Sequence, residues 1–234
     1  MALPKIDAPK YQLTIPSTKE TIDYRPFLVK EQKIIMMAQE SKDEDQMIYA
    51  VSDLVEACTF GKINAKNSPT FDVEYIFLKI RAKSVGETVQ LNVICPDDET
   101  TQVPIKLNLD EIKLMSDVTH RTEIKITDTI KLNLRYPMLS DMLGLKNTDE
   151  FDTPFKIMQR CVKDIHYGDD VYQRVDISDK DIEEFVDQLT GEQFKDVMEF
   201  FNTMPKMRHV IEVTNPKTKV KGEVVLEGLQ SFLG

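Results

Sequence analysis

The chain of 234 residues is long enough for one large domain or two small ones, and its composition, with 41% hydrophobic and 30% charged residues, is that of a globular protein. Its 40 acidic side chains outnumber the 30 basic ones, and the formal net charge of -10 disfavours binding to nucleic acid. Three cysteines without a C-x-x-C pair, and no apolar run of the length of a signal peptide or a membrane span, predict a protein that is made in the cytoplasm and is not inserted in a membrane.

The chain is predicted to begin with an extended arm and a hairpin. Residues 1–10 contain Pro4 and Pro9, which interrupt helices, so an N-terminal arm is expected there. The segment YQLTIPSTKETIDYRPF is typical of a hairpin with its turn at PSTKE. Pro26 suits the first turn of a helix, which we expect over 27–41.

Two further helices and a second hairpin are predicted next. Apolar residues in 44–58 recur at helical spacing, and Cys58 lies on that stripe, so we expect a buried structural thiol rather than a reactive one. The segment 68–87 contains the run VEYIFLKI, which is apolar on almost every face and indicates a central buried helix that ends at Gly86. Two strands are expected over 88–112, around the turn CPDDET.

The second half of the sequence repeats this order. Residues 120–139 are typical of a hairpin, and 151–165 resembles 71–85 at an offset of 80 residues, which predicts a helix. Two more helices are predicted from apolar stripes at Ile182, Phe185, Val186 and Leu189 and at Phe194, Val197, Met198 and Phe201. The closing segment is predicted to be two strands around a proline turn, and it matches the earlier CPDDET hairpin at an offset of 120 residues.

These similarities predict an α+β fold in which a helical core is flanked by β-hairpins, with an internal pseudo-duplication. The predicted parts are the N-terminal arm (1–10), a first hairpin-helices-hairpin repeat (11–115) and a second repeat (116–234). The two repeats could also pack as a single domain. Chance similarity of hydrophobic patterns is the alternative explanation.

The turns CPDD and NPKT have the shape of half zinc knuckles. A structural zinc site needs about four thiolate or imidazole ligands. Asp98 stands where Cys95 would need a cysteine partner, and Asn215 and Thr218 stand at the two corresponding places of the second turn. We therefore predict metal-free hairpins; their descent from a zinc-binding hairpin is left open.

The sequence lacks the short motifs of phosphate-binding, dinucleotide-binding, serine-hydrolase and zinc-protease sites. The acidic pairs Asp97–Asp98 and Asp169–Asp170 lie in predicted turns, where solvated carboxylates are common. We therefore predict no catalytic residues, no metal ligands and no cofactor.

Four phrases, RPFLVKEQKIIMMA, FDVEYIFLKIRAKSVGE, EFFNTMP and the closing LEGLQSFLG, resemble a known family. From about residue 11 to the end, and in this order, they are similar to T4-like bacteriophage baseplate proteins, in particular the baseplate hub subunit family. The resemblance implies a non-enzymatic structural or assembly protein of the virion, located in the tail baseplate, whose partners are other baseplate and tail proteins. It also implies that the proline turns of many relatives carry paired cysteines, from which this chain departs.

Three functions follow from the resemblance. The first is a baseplate hub component that acts by protein–protein binding, and an oligomer is compatible with it. The second is a hub assembly chaperone that is absent from the mature virion. The third is an envelope-degrading hydrolase, which the absence of tryptophan and of a sugar-binding pattern disfavours.

The C-terminal tail is the candidate partner-docking element. Its apolar residues recur at helical spacing and are Leu226, Leu229, Phe232 and Leu233. We expect them to form one face of a short helical turn that meets a neighbouring hub protein; the alternative is that this face folds back onto the protein's own helices. An adaptable apolar surface would also use methionines, and the 11 in the chain include Met36, Met37, Met198, Met204 and Met207. The alternative is that most of them are core, which we expect for Met198.

Overall fold

Helices and antiparallel hairpins alternate along the chain in the computed structural model, which describes residues 6–145, 148–149, 152–228 and 231. This arrangement confirms the predicted α+β class. The described residues divide into two compact units. Unit 1 contains the residues up to Met115 together with those from Lys206 onward, and unit 2 contains the residues within Ser116–Pro205.

The elements follow one another as antiparallel hairpins with helices between them. The first part of unit 1 contains β1 (Tyr11–Thr14), β2 (Thr21–Tyr24), α1 (Val29–Ser41), α2 (Glu44–Cys58), α3 (Thr70–Val85), β3 (Thr88–Ile94), β4 (Gln102–Asn108) and β5 (Lys113–Met115). Unit 2 contains β6 (Glu123–Lys125), β7 (Ile130–Leu134), α4 (Asp152–Cys161), β8 (Val162–Tyr167), β9 (Asp170–Gln173), α5 (Asp179–Asp187) and α6 (Gly191–Thr203). The chain then returns to unit 1 with β10 (Lys206–Thr214) and β11 (Lys221–Glu227).

Unit 1 is organised around α3, whose side chains are buried on several faces, as its apolar sequence indicates. The helix ends at Gly86, which has a positive φ of 105° that favours glycine. Strands β3 and β4 pair with each other, and β10 pairs with both β11 and β5. Leu78 of α3 shares one apolar core with these strands, through Leu91, Leu107, Met207 and Leu226.

Unit 2 has its own core beneath a four-stranded antiparallel sheet in the order β6-β7-β8-β9. The largest buried side chains of this core are Leu132 and Met158 together with Ile182 and Phe200, which come from β7, α4, α5 and α6. Helices α5 and α6 begin at hydroxyl caps, because Ser178 and Thr190 each accept a hydrogen bond from the backbone three residues later.

Several predicted boundaries agree with the structure and two are wrong. Helix α2 occupies the predicted segment 44–58. Helix α1 begins at Val29 rather than at residue 27, because the chain is still extended at Leu28. The helix predicted over 151–165 ends at Cys161, and the following residues form β8, because pairing with β7 satisfies their backbone and gives their apolar side chains a sheet face to pack on.

Unit 2 begins at Ser116, where the second predicted repeat begins, and ends at Pro205. The division into two sequence repeats stays a prediction. The last hairpin of the chain, β10 and β11, belongs to unit 1 because β10 pairs with β5 and contributes Met207 to the unit 1 core.

The passage from a strand into a helical turn is built in the same way in both units. Arg25 donates a hydrogen bond to Glu31, whose carboxylate also accepts the N–H of Leu28 at 2.7 Å. Arg135 binds Asp141 through both terminal nitrogens, and that carboxylate accepts the N–H of Met138, also at 2.7 Å. The backbone N–H groups of the two arginines bond to the carbonyls of Cys58 and Cys161.

This recurrence supports the proposed internal duplication. The arginines, the carboxylates and the N–H groups of Leu28 and Met138 are each 110 residues apart, whereas Cys58 and Cys161 are 103 residues apart. The offset of 110 differs from those of 80 and 120 residues that the apolar patterns indicate.

Candidate functional site

The most exposed apolar helix face of unit 1 lies on α1. This face, called the docking face below, consists of Val29, Ile34, Met36 and Met37, of which Met37 is 70% exposed and Val29 is 67% exposed. The opposite side of α1 buries Ile35 and Ala38 and packs against α2. A helix that is apolar on both sides is usually covered on both sides, so the docking face has the character of a contact surface.

Local hydrogen bonds fix the position of α1. The Arg25 guanidinium lowers the pKa of the Glu31 carboxyl against the opposing effect of burial, so this carboxylate stays ionised beside the first turn, where negative charge is favourable. Lys42 adopts a left-handed conformation and closes the last turn through a bond to the Gln39 carbonyl. The docking face is therefore presented by a helix that is held at both ends.

A groove of about 190 Å³ runs between α1 and α2. Its lining residues are Lys30, Glu31, Ile34, Ala50, Asp53, Leu54 and Ala57. Ile34 belongs to both the groove and the docking face, so the apolar surface continues from the helix into the groove.

Three hairpin turns of the described chain share one backbone geometry. They begin at Ile15, Cys95 and Asn215, and in each the second residue is proline and the fifth donates its N–H to the carbonyl of the first. The fifth residues, Lys19, Glu99 and Lys219, have φ values of 61°, 53° and 65°. The turns at Cys95 and Asn215 were predicted to be knuckle-shaped, whereas the turn that begins at Ile15 was predicted only as a hairpin turn.

Two of the three turns face each other in unit 1. Asn215 donates its side-chain N–H to both oxygens of Asp97, at 2.9 and 3.1 Å, and Thr218 donates its hydroxyl to the same carboxylate. These bonds hold the pKa of Asp97 below its ordinary value. A Cβ added to Gly222 would lie 2.6 Å from the Pro96 ring, so the two hairpins approach closely at a position where only glycine fits.

A His–Asp–Asn group on the unit 2 sheet was not predicted from sequence. His166 lies 2.9 Å from Asp164, which also accepts a hydrogen bond of 2.6 Å from Asn133 on the neighbouring strand. Alternation along β8 places residues 164 and 166 on one face, which is the signal that could have found the pair. Among the described residues, these hydrogen bonds join the three side chains to one another and satisfy polar groups on the sheet.

His120 is packed among aromatic side chains. Its ring stacks on Tyr136 and contacts Phe200, and burial lowers its pKa, which favours the neutral form of the ring. The Thr203 hydroxyl donates to the Glu199 carbonyl and can therefore accept from Nδ1 of His120, 3.0 Å away.

The predicted tail residues are only partly within the described structure. Leu226 lies in β11, not in a helical turn, and its side chain is buried in the unit 1 core. It belongs to the core because it pairs across the hairpin with His209 on the inward face. Leu229, Phe232 and Leu233 lie outside the described residues.

The described residues hold no group of three or more histidine, cysteine or acidic side chains that could bind a metal ion. Within the same part of the chain, no helix is both long and apolar enough to cross a membrane.

This α+β protein thus has an exposed apolar helix face with an adjoining groove, and surfaces of this kind are common at sites of protein–protein contact. The family model described as T4 bacteriophage base plate protein matches residues 8–234. The chain belongs to this family, which gives it a structural role in the phage baseplate among other tail proteins. Neither the comparison with curated proteins nor the comparison with solved structures gave a significant match.

Proposed function

We propose that this protein is a baseplate hub component that binds neighbouring tail proteins through the docking face of α1. The observation that carries the proposal is the exposure of Met36 and Met37 beside Val29 and Ile34 on a helix whose other side is already buried. The partner would supply an apolar helix or an apolar extended segment that covers this face and enters the groove between α1 and α2.

The chemistry of the docking face suits a protein partner. Methionine side chains are flexible and polarisable, so they fit the irregular surface of a partner. Each large apolar side chain that becomes fully buried contributes about 1.5–3 kcal/mol. The exposed residue Gln32 borders the apolar positions of α1 and contributes to the polar rim that is common around protein interfaces, while Lys33 lies among these positions.

The test replaces both exposed methionines. We expect a Met36→Glu, Met37→Glu variant to keep the melting temperature of the wild type, because both side chains lie in solvent in the free protein. It should nevertheless fail to co-purify with baseplate proteins of the same phage when these are co-expressed. Charged side chains on the contact surface would have to be desolvated without a partner.

The matched control is Gln32→Glu with Gln39→Glu, which adds the same two charges to α1 and leaves the methionines in place. It should co-purify normally. The proposal is wrong if the methionine variant retains its partners, or if it loses them only in step with a lower melting temperature.

The C-terminal tail is a second proposed docking element of the same function, now resting on Leu229, Phe232 and Leu233, since Leu226 is part of the core. A Phe232→Ala, Leu233→Ala variant should stay folded and drop out of hub complexes, whereas a Gln230→Ala, Ser231→Ala control should remain in them. A markedly lower melting temperature with normal co-purification would assign the tail to the protein's own core.

A hub assembly chaperone is the alternative within the same family. It would bind the same partners during assembly and leave before the particle is complete. Quantitative proteomics of purified particles separates the two: a constant copy number in the mature virion supports the hub component, and absence from particles that contain the other hub proteins supports the chaperone.

A further inference from the structure

The facing turns at residues 95–98 and 215–218 have the backbone of a metal knuckle pair without its ligands. In a knuckle, the first and fourth residues of each turn bind the metal, so the relevant positions here are 95, 98, 215 and 218. Cys95 is the single thiol among them. The other three positions carry a carboxylate, an amide and a hydroxyl, and only the first of these is an ordinary zinc ligand.

The side chains at these positions are committed to hydrogen bonds. Asp98 accepts N–H bonds from Thr100 and Thr101, at 3.1 and 2.9 Å, together with the Thr101 hydroxyl. Asn215 accepts the N–H of Lys217 at 2.9 Å through its side-chain oxygen and turns its nitrogen towards Asp97. The residues present therefore do not fit a zinc ion.

We infer that the two turns form a metal-free clasp in which the Asp97 carboxylate makes the cross-link that a metal ion makes in a knuckle pair. Asp97 belongs to one turn and accepts hydrogen bonds from the first and fourth residues of the other, Asn215 and Thr218. A metal would join the turns through its own coordination bonds, whereas here one anion joins them through donated hydrogen bonds.

The clasp has a definite place in the fold. Its two halves are about 120 residues apart in sequence, because the residues of unit 2 lie between them in the chain. The clasp ties the β3–β4 hairpin to the β10–β11 hairpin. The contact of Pro96 with Gly222 brings the same hairpins together on the apolar side. The clasp therefore holds the last hairpin of unit 1 to the part of that unit that precedes unit 2 in the chain.

The first experiment introduces thiols at the three positions that lack them. A variant with Asp98→Cys, Asn215→Cys and Thr218→Cys, together with the native Cys95, should bind one equivalent of Co²⁺. It should show the thiolate-to-cobalt and tetrahedral d–d absorption bands, with release of the thiol protons on binding. Metal should raise its melting temperature. The wild-type protein should show no such bands, contain no stoichiometric zinc and melt at the same temperature with and without a chelator.

Two controls locate the site. Asp98→Cys alone places two thiols in one turn and leaves the facing turn unchanged, so the bands should be lost. Adding Cys95→Ser to the triple variant removes one of the four ligands, so the four-thiolate spectrum should be lost as well. A folded triple variant without tetrahedral cobalt bands would show that positions 95, 98, 215 and 218 do not meet at one point. Stoichiometric zinc in the wild type would show that the clasp is not metal-free.

The native background gives an independent measurement if the triple variant does not fold. Asp97→Ala and Asn215→Ala should each lower the melting temperature and increase hydrogen exchange at the amide of Lys219. The double variant should lose less than the sum of the two, because both substitutions break the same contact. Strictly additive losses would show that Asp97 does not join the turns and would overturn the proposal.

Discussion

At the scale of single residues, the thiols of Cys58 and Cys161 illustrate how burial controls reactivity. Both side chains are fully buried at the ends of helices. Burial raises the pKa of Cys58 to about 11 and that of Cys161 to about 12. Neither residue therefore forms a useful fraction of thiolate, the nucleophilic form, near neutral pH.

We expect both thiols to resist alkylation in the folded protein and to react on unfolding. Native protein treated with iodoacetamide near pH 8 should show little modification at Cys58 or Cys161 by mass spectrometry, and full modification should appear in denaturant. Free glutathione in the same tube serves as the control for reagent activity. Rapid modification of native Cys58 would contradict its assignment as a structural thiol.

The carboxylates of the clasp turns should make the free energy of unfolding depend on pH in the acidic range. Hydrogen bonds from Thr218 and Asn215 lower the pKa of Asp97, and those from Thr101 lower the pKa of Asp98. A pKa that is lower in the folded protein stabilises the fold above the unfolded-state value of about 3.9, and this contribution disappears as the pH falls through the folded-state value.

We therefore expect the urea midpoint of the wild type to fall between about pH 4 and pH 2 more steeply than that of Asp97→Asn, which has no charge to lose at this position. Denaturation curves at a series of pH values measure the difference. Asp53→Asn, a substitution outside the clasp turns, is the control and should behave like the wild type. Equal slopes for the wild type and Asp97→Asn would count against the pKa assignment.

At the scale of elements, two glycines in different backbone conformations give a matched comparison. Gly86 ends α3 with φ at 105° and ψ at 158°, a region that other residues rarely enter. Gly191 begins α6 with space around it and without a positive φ.

Alanine should have opposite effects at the two positions. Gly86→Ala should reduce the free energy of unfolding by about 1–3 kcal/mol through backbone strain. Gly191→Ala should be neutral or stabilising by up to about 1 kcal/mol, because alanine restricts the unfolded chain without clashing in the folded one. Urea denaturation measures both, and a destabilised Gly191→Ala alongside an unaffected Gly86→Ala would contradict this account.

The elements that could be predicted from the sequence are those whose signal is local. Helix α2 was predictable because its buried residues, from Met47 to Cys58, repeat at helical spacing within one segment. The prediction failed at 162–165, where Val162 and Ile165 fit a helix as well as a strand and long-range pairing with β7 decided the outcome.

The clasp and the docking face illustrate two different limits. The Asp97–Asn215 hydrogen bond joins distant parts of the chain. The similarity of the two proline turns in sequence predicted the shape of each turn, but it did not predict that the two turns contact each other. The exposure of Met36 and Met37 depends on which side of α1 meets α2, and the sequence does not reveal this because apolar residues occur on both sides of the helix.

At the scale of the whole molecule, the two units differ in how their chains are assembled. Unit 2 is one continuous segment, Ser116–Pro205, with its own sheet and core. Unit 1 is discontinuous, because β10 and β11 complete the sheet that β5 begins.

We expect residues 116–205 to fold when expressed alone and residues 1–115 to fail to reach the native state of unit 1. The isolated 116–205 segment should give dispersed amide signals by NMR and a cooperative thermal transition. The 1–115 segment lacks Met207, Val213 and Leu226 of its core and should give neither. A cooperative transition in isolated 1–115 would show that the last hairpin is dispensable.

The discontinuity of unit 1 also sets an order of events on the ribosome. Unit 2 can leave the exit tunnel and close its core while unit 1 still lacks β10 and β11. Until these strands emerge, β5 lacks β10, the strand with which it pairs in the described residues, and the apolar side of α3 is incompletely covered. The nascent chain therefore passes through a stage with an open strand edge beside apolar surface, and the closing of the Asp97 clasp marks the end of that stage.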